Sequence, residues 1–428
     1  MKRNFVEELK WRGMLHDIMP GTEELLLKET VSGYIGFDPT SDSLHVGSLA
    51  QLMFLRHFQN AGHKPIALLG GATGMIGDPS GKSEERKLLS MDQLKANEDG
   101  IKKQFEKYLD FNVSNPAEVV NNADWFKELN TIEFLREAGK YLTVSYLLSK
   151  GFIKERLASD QEISVTEFTY IMMQAYDFMW LFQNKNCKLQ MGGSDQWGNI
   201  TAGTELIRKK LRGETFAVTC PLITKADGTK FGKTESGNVW LDPKKTSPYK
   251  FYQFWINATD SDAAKYIRIF TVMEKEEIET LEKQHLEAPH LRLLQKKLAE
   301  QVTVFVHSQK DLDDAIAASE ILFGKSTKEA LEKLDQQTFN DIFDGVPTWN
   351  IERNSLVIGI NVIEFLSGIT GVYSSKGEAK RNLTGNAIRI NKEKINEASV
   401  SISTAHLIRD KYILVQTGKT EYHLVIAS

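Results

Sequence analysis

The chain runs to 428 residues, 41% hydrophobic and 26% charged, which is long enough for two or three domains with buried cores. Its 30 glycines and 10 prolines exclude collagen-like and low-complexity classes, and its two cysteines, Cys187 and Cys220, lack the spacing of a disulfide framework or a cysteine-held zinc. Net charge is −4, yet from Gly359 to Ser428 nine Lys and Arg face six Asp and Glu, which suggests a polyanion at the tail but is also common on a merely solvated face.

The opening MKRNFVEELKWRGML mixes charge with apolar residues at helical spacing and carries no signal-peptide run. No stretch reaches the ~18 uninterrupted apolar residues of a membrane span, so the expectation is a cytosolic protein. Ser32–Phe37 (SGYIGF) reads as a strand, followed by the turn DPTSDS and a helix from His45 to Ala61. Lys64–Gly70 is a second strand that continues into the glycine-rich GGATGMIGDPSGKS. Amphipathic patterns predict helices over Met91–Phe111 and Thr131–Ala158, then a long apolar helix over Thr166–Gln183. Cys187–Gly192 is a third strand and Gln196–Leu211 a further helix. Strands alternating with helices predict βαβ units and a mostly parallel sheet, whose ligand crevice lies beyond the carboxyl ends of the strands. The loops after Phe37, Gly70 and Met191 would then open on one site. From Ser247 to Phe343 the pattern is nearly all helical, and Gly345–Ser355 (GVPTWNIERNS) is punctuated like a linker. The remainder predicts helices over Asn361–Ile369 and Gly377–Leu383 and short strands AIRIN, YILVQTG and YHLVIA, a small α+β module.

Several motif-like features carry no chemistry. GDPSGKS is not a phosphate-binding P-loop, because Ile76 stands five residues before Gly81, and GGATGMIG lacks the GxGxxG spacing. GGSDQWG has Gln196 where a nucleophile elbow needs glycine, and His285 and His290 lack the HExxH pattern.

Three other features do point to chemistry. His45 opens a helix in LHVGSLAQLMFL, where free N–H groups and the positive dipole end suit phosphate, and Gly47 removes a side chain one turn in. A helix-start histidine with a packing glycine explains that tetrapeptide equally well. Lys230, Lys233 and Thr234 lie in the glycine-punctuated ADGTKFGKTESGN, and Lys82 and Arg86 in a second such loop. Each is unremarkable alone as a solvated cation. Together, cations on loops facing a helix start suit a polyphosphate leaving group, on whose oxygens charge builds. Finally, the Thr166–Gln183 helix is apolar nearly all round, yet Tyr170, Gln174 and Asp177 recur at i, i+4 and i+7. Buried polar groups without partners cost roughly 1–3 kcal/mol each, and a charge more, so these need either internal partners or a polar ligand.

HVGS at 45–48 and KFGKT at 230–234 resemble the HIGH and KMSKS signatures of class I aminoacyl-tRNA synthetases. YIGFDPTSDSLHVGS, GGATGMIGDPSGKSEER, EFTYIMMQAYDF and GGSDQWGNITAG, in that order, are similar to the bacterial-type tyrosyl-tRNA synthetases. The chain departs from the signatures at Ser48, where HIGH has its second histidine, and at Phe231-Gly232, where KMSKS has Met-Ser. The resemblance implies an α/β, Rossmann-like parallel-sheet catalytic domain over 1–246, an all-helical domain on the anticodon side over 247–344, a linker over 345–358, and a small α+β RNA-binding module over 359–428. It also implies activation of L-tyrosine by ATP and transfer to tRNA(Tyr), with Mg2+ accompanying ATP and no tightly bound protein-ligated metal. The expected assembly is a cytoplasmic homodimer without membrane contact.

Residue by residue, the resemblance assigns Tyr34 and Asp177 to the substrate phenol and Tyr170, Gln174 and Asp78 to its ammonium. Gly36, Asp38, Thr40, His45, Gly47, Ser48, Asp195 and Gln196 fall to ATP, with Gly36 and Gly47 permitting close approach of the adenylate. Thr40, His45, Lys82, Arg86, Lys230, Lys233 and Thr234 would grip the pyrophosphate side, and Lys376, Lys380, Arg381 and Arg389 would meet tRNA phosphates. A pocket that reads a hydroxyl leaves Tyr34 and Asp177 unpaired when phenylalanine enters, so no editing domain is needed. Tryptophanyl enzymes share the architecture, and against them stands the pairing of Asp177 with Tyr34. A non-catalytic RNA-binding relative is opposed by the intact His45, Lys230 and Lys233. A small nucleotidylyltransferase would leave the helical and basic tail regions unexplained.

Overall fold

The computed structural model describes residues 3–78, 80, 89–158, 163–229, 231–234, 237–323, 328–334, 336–344, 346–418 and 421–428. Apolar runs with little alternation build its first sheet from Ser32–Phe37 (β1), Lys64–Leu69 (β2), Glu118–Asn121 (β3), Cys187–Gly193 (β4) and Phe216–Cys220 (β5). The strands lie in the order β3-β2-β1-β4-β5, and every neighbouring pair is parallel. Tyr34 on β1 stands opposite Ile66 on one side and Gln190 on the other. Parallel sheets are covered on both faces, which is why β2, β4 and β5 are buried almost without interruption. The strand order reverses between β1 and β4, where a doubly wound sheet leaves a crevice beyond its carboxyl ends.

The covering helices start and stop on local chemistry. The first, α1 (Phe5–Arg12), is capped by Asn4 and closed by Gly13 at φ 71°. Next come α2 (Val46–Asn60), capped by His45, and α3 (Met91–Tyr108), capped by Ser90. The long apolar helix is α4 (Val165–Lys185), opened by a Ser164–Glu167 capping box and ended at Asn186 with φ 49°. Its Glu167 also accepts from Arg156 at 2.6 Å, a nearly buried ion pair. Trp197–Leu211 (α5) follows β4 through a short 3-10 turn.

Two strands of this sheet escape the reading from periodicity. β3 is four half-buried residues at the sheet edge, too short to show a period, and β5 is a five-residue buried run that periodicity cannot classify. The helix expected over Thr131–Ala158 is instead broken into Thr131–Phe134, a π turn over Leu135–Gly139, Val144–Leu148 and Gly151–Ala158. Thr143 accepts from the Tyr146 N–H at 3.3 Å and so starts a new helix inside the expected one.

By their contacts, residues 1–245 and 254–306 form one compact unit, and residues 246–253 and 307–428 a second. The helical run expected as one domain over 247–344 is therefore divided. In the first unit, Arg12 is 2% exposed and its guanidinium reaches the carbonyls of Arg268, Thr271 and Met273 at 2.5–3.0 Å. Those of Arg268 and Thr271 are orphan acceptors at the end of Asp260–Phe270 (α6), so α1 and α6 are joined by a buried cap. In the second unit, Phe339 packs on Tyr412 with centroids 4.6 Å apart, and Gln336 donates to the Tyr412 hydroxyl at 3.0 Å.

The tail sheet of that unit also corrects an expectation. After the two-residue pair Lys233–Thr234 (β6) and Gly237–Asn238 (β7) in the first unit, the next strand is Thr348–Ile351 (β8). Ile360–Asn361 (β9), Ile388–Ile390 (β10), Glu393–Lys394 (β11), Ser401–Ile402 (β12), Tyr412–Thr417 (β13) and Glu421–Ala427 (β14) follow. The five-stranded order is β11-β10-β13-β14-β8, with β8 parallel to β14. The stretch expected as a linker over 345–358 thus supplies an edge strand and the helix Arg353–Ile358. Its Trp349 and Ile351 alternate with polar residues, a strand signal masked by the flanking Gly, Pro and Asn.

Candidate active site

A cavity of about 520 Å³ opens where the sheet order reverses. It is lined by Tyr34 and Gly36 of β1, by Asp38, Thr40, His45, Gly47 and Ser48 beyond it, and by Asp78 beyond β2. Tyr170, Gln174 and Asp177 of α4 and Asp195 and Gln196 beyond β4 complete the ring. These residues, scattered over 163 positions of sequence, share one space because parallel strands present all their carboxyl ends at one edge. Lys82, Arg86 and Lys230 lie outside the described residues. Lys233 and Thr234 are described only as backbone, paired across a hairpin with Asn238 and Gly237. Lys376, Lys380, Arg381 and Arg389 are exposed on the second unit, at the helix Lys376–Thr384 and on β10, and Lys376 is ion-paired with Glu364.

One end of the cavity is a buried polar chain. Asp177, 2% exposed, accepts from Trp125 Nε1 at 2.8 Å and from Asn122 Nδ2 at 3.1 Å. Asn122 also reaches Thr73 Oγ1 at 3.0 Å, Thr73 donates to Asp38 Oδ1 at 2.8 Å, and the Tyr170 hydroxyl donates to Asp38 Oδ2 at 3.0 Å. Burial pushes the Asp177 carboxyl up to about 8, against the Asn122 and Trp125 donors that hold it down. Burial likewise raises Tyr170 and Tyr34 well above the usual phenol range, with the carboxylates of Asp38 and Asp177 adding to the respective shifts. Tyr34 is 1% exposed, lines the cavity, and its hydroxyl has no hydrogen-bond partner among the described residues. The side-chain amide oxygen Oε1 of Gln190, another residue lining the cavity, has none among them either. Such groups are paired in the great majority of native proteins.

A second chain runs along the neighbouring wall. Asn199 donates to Gln174 Oε1 at 2.9 Å, and Gln196 Nε2 donates to Asp78 Oδ2 at 2.8 Å. Gln196 also reaches Asp195 at 3.2 Å, and burial, followed by the repulsion of Asp78, raises the Asp195 carboxyl.

The helix start behaves differently from the expectation that it offers free N–H groups. Val46 N–H donates to the Val239 carbonyl at 2.9 Å, and those of Gly47 and Ser48 donate to His45 Nδ1 at 3.0 and 3.3 Å. The first turn of α2 is consumed by its own cap. Because Nδ1 accepts, a neutral His45 carries its proton on Nε2, which makes the side chain rather than the helix backbone the donor. Gly47 serves this arrangement: a Cβ there would stand 2.8 Å from His45 Cε1.

Thr73, Asn122, Trp125 and Gln190 were not anticipated from sequence. Asn122 and Trp125 follow β3, and missing that strand removed the loop beyond its carboxyl end from consideration. The string EVVNNADW, two β-branched residues followed by turn formers, is the signal that could have found it.

Residues 27–324 match the family described as tRNA synthetases class I (W and Y), and residues 338–425 match the tyrosine–tRNA ligase SYY-like C-terminal domain. The tyrosine–tRNA ligase of Bacteroides fragilis is 57% identical over 428 residues, covering 99% of this chain and 100% of its own. That of Porphyromonas gingivalis is 56% identical over 427 residues, with 99% of each chain covered. Among solved structures, a C-terminally truncated Aspergillus nidulans mitochondrial tyrosyl-tRNA synthetase superposes with a TM-score of 0.68 at 29% identity, covering 75% of this chain and 94% of that one. The sheet order, the cavity at its reversal and these full-length likenesses agree: the chain belongs to the class I tRNA synthetases of the tryptophan and tyrosine group, among the bacterial tyrosine–tRNA ligases.

Proposed function

We propose that the cavity seats tyrosine and ATP end to end, with the phenol at the Tyr34–Asp177 end and the pyrophosphate toward His45. The reaction is that of a tyrosine–tRNA ligase: tyrosine and ATP give tyrosyl-adenylate and pyrophosphate, and the tyrosyl group then passes to the 3′ end of tRNA(Tyr). The observation that carries the assignment of the phenol is the buried Tyr34 hydroxyl without a partner, beside an Asp177 whose two oxygens already accept from Asn122 and Trp125. A phenolic hydroxyl entering there donates to Asp177 and accepts from Tyr34, whereas the bare ring edge of phenylalanine leaves the Tyr34 hydroxyl unpaired and brings Asp177 no third donor. Tyr170, Gln174 and Asp78 present oxygens to the substrate ammonium. Gly36, Asp38, Gly47, Ser48, Asp195 and Gln196 flank the adenylate.

The attacking atom is a carboxylate oxygen of tyrosine, already ionised at neutral pH, which bonds to the α-phosphorus as the bridging oxygen leaves with pyrophosphate. No base is required, and the work of the site is alignment and stabilisation of charge on the departing oxygens. Thr40 and the Nε2–H of His45 act there, joined by Lys82, Arg86, Lys230, Lys233 and Thr234. Magnesium would accompany ATP and offset charge on its phosphates, and among the described residues no group of three or more His, Cys, Asp or Glu is placed to hold it. In the second step a ribose hydroxyl of the terminal adenosine attacks the tyrosyl carbonyl and AMP leaves.

The exposed Lys380, Arg381 and Arg389, with Lys376, contact tRNA phosphates and add affinity with little base specificity. A homodimer bridged by tRNA is supported by the large apolar side chains left in water at Ile132, Leu135, Val144 and Val165, and a single-chain mass in light scattering would remove it. A cytoplasmic location fits two free, buried cysteines and the finding that, among the described residues, no helix is long and apolar enough to cross a membrane.

The assigned roles separate in one comparison. His45→Ala should lower the rate of tyrosyl-adenylate formation by about 10²-fold or more while tyrosine affinity stays near wild type, because its contacts strengthen in the transition state. Asp177→Ala should instead weaken tyrosine binding by about tenfold or more. Equilibrium tyrosine binding and single-turnover rates decide it. A His45 defect lying wholly in tyrosine affinity, or unchanged binding in the Asp177 variant, contradicts the assignment.

A further inference from the structure

Asp38, Thr40 and His45 share one loop, and that loop is held by a helix carrying none of the assigned residues. Asn97, Gly100 and Gln104 recur on α3 at i, i+3 and i+7, one helical face, and all three meet residues 39–44. Asn97, 3% exposed, donates from Nδ2 to the Pro39 carbonyl at 2.8 Å. At Gly100 no side chain fits, since a Cβ would stand 2.0 Å from the Asp42 carbonyl oxygen. Gln104 engages both ends of its amide: Oε1 accepts from the Leu44 N–H at 2.8 Å, and Nε2 donates to Ser43 Oγ at 2.9 Å.

Ser43 extends the clamp to the other side of the loop. Its hydroxyl donates to the Leu44 carbonyl at 2.8 Å and accepts from the Asp242 N–H at 3.2 Å. Leu241 N–H also donates to the Leu44 carbonyl, and Val46 N–H to that of Val239, each at 2.9 Å. The loop is thus gripped between α3 and the backbone that leaves the β6–β7 hairpin, in which the second signature ends.

We propose that Gln104 is a positioning residue for the activation step: through Ser43 and Leu44 it fixes the loop from which Thr40 and His45 act and registers it against the exit of the second signature. The inference rests on the assignment of Thr40 and His45 to the pyrophosphate side. Tyr34, Tyr170 and Asp177 sit on β1 and α4 and meet the loop at its start, where Asp38 accepts from Tyr170. Gln104 grips its far end at Ser43 and Leu44, so Gln104 governs the rate of the chemical step more than the tyrosine pocket. Small displacements of groups that act on the transition state appear in kcat before KM.

Gln104→Met keeps the length of the side chain and deletes both hydrogen bonds. The expected result is a kcat for tyrosine-dependent ATP–pyrophosphate exchange lower by about 10–100-fold, with the tyrosine dissociation constant within about twofold of wild type. In a Thr40→Ala, His45→Ala background the same substitution should cost about twofold or less, because a residue that acts through others has nothing left to position. An unchanged kcat overturns the proposal, as does an undiminished loss in that background or a loss of tyrosine affinity parallel to the loss of rate. If Gln104→Met does not fold, Ser43→Ala removes only the shared hydroxyl and should give the same pattern at smaller amplitude; wild-type kcat there also overturns the proposal. His45→Ala at wild-type rate is a separate outcome, which defeats the underlying assignment of His45.

Discussion

Three residues show how far chemistry could be read from their type and where packing had to be seen. His45 was legible as a helix start near a phosphate site, but not that its Nδ1 caps the Gly47 and Ser48 N–H groups and turns the side chain itself into the donor. Gly47 was read as room for a ligand, and the space a Cβ would fill belongs to the His45 ring. At Asp177 the need for partners was legible from an acid in an apolar helix, and the partners were not, because Asn122 and Trp125 lie 55 and 52 positions away. The raised Asp177 has a consequence for stability. Its carboxyl sits near 8 in the folded chain against an ordinary 3.8, so between those pH values the folded state holds a proton that the unfolded state has lost. Stability contributed by this group is therefore full below pH 4 and declines as pH rises toward 8. Asp177→Asn is neutral throughout and lacks that decline, so its thermal midpoint should gain on wild type between pH 5 and 8. Parallel midpoints across that range would mean that Asp177 is already ionised in the folded protein.

Elements were legible in proportion to their length and periodicity. The long helix α4 declared itself through a continuous apolar surface, and it is placed within two residues of its predicted bounds. The short edge strand β3 and the broken Thr131–Ala158 segment did not, because four residues show no period and an internal Thr143 cap looks like any other helix position. The strand β8 was hidden by Gly345, Pro347 and Asn350, yet it pairs with β14 through Leu424–Thr348 to Ala427–Ile351. That pairing sets where the tail can be removed. A cut at 359 leaves β8 without its neighbour and exposes the edge it covered, whereas deletion of 346–428 removes the sheet whole. The 346–428 deletion should retain pyrophosphate exchange within a few-fold and lose tRNA charging by about 10²-fold or more, if the tail supplies phosphate contacts. Equal loss in both assays would contradict a tail devoted to tRNA.

Over the whole molecule, the alternation of strands and helices was enough to predict a parallel sheet with its site at the carboxyl ends, and the sheet order β3-β2-β1-β4-β5 puts the cavity between β1 and β4. What alternation could not give was the division of the helical run at Val306, because amphipathic helices carry no mark of which neighbour their apolar face meets. We propose that the buried end of the cavity leaves the Tyr34 hydroxyl to a substrate phenol and that His45 acts on the leaving group at the open end. Amino-acid-dependent ATP–pyrophosphate exchange, run without tRNA across the twenty amino acids, tests both ends at once. Exchange is expected with tyrosine, and none above background with phenylalanine or tryptophan. Comparable exchange with tryptophan, or with phenylalanine, would show that the Tyr34–Asp177 end does not read a hydroxyl and would contradict the proposal.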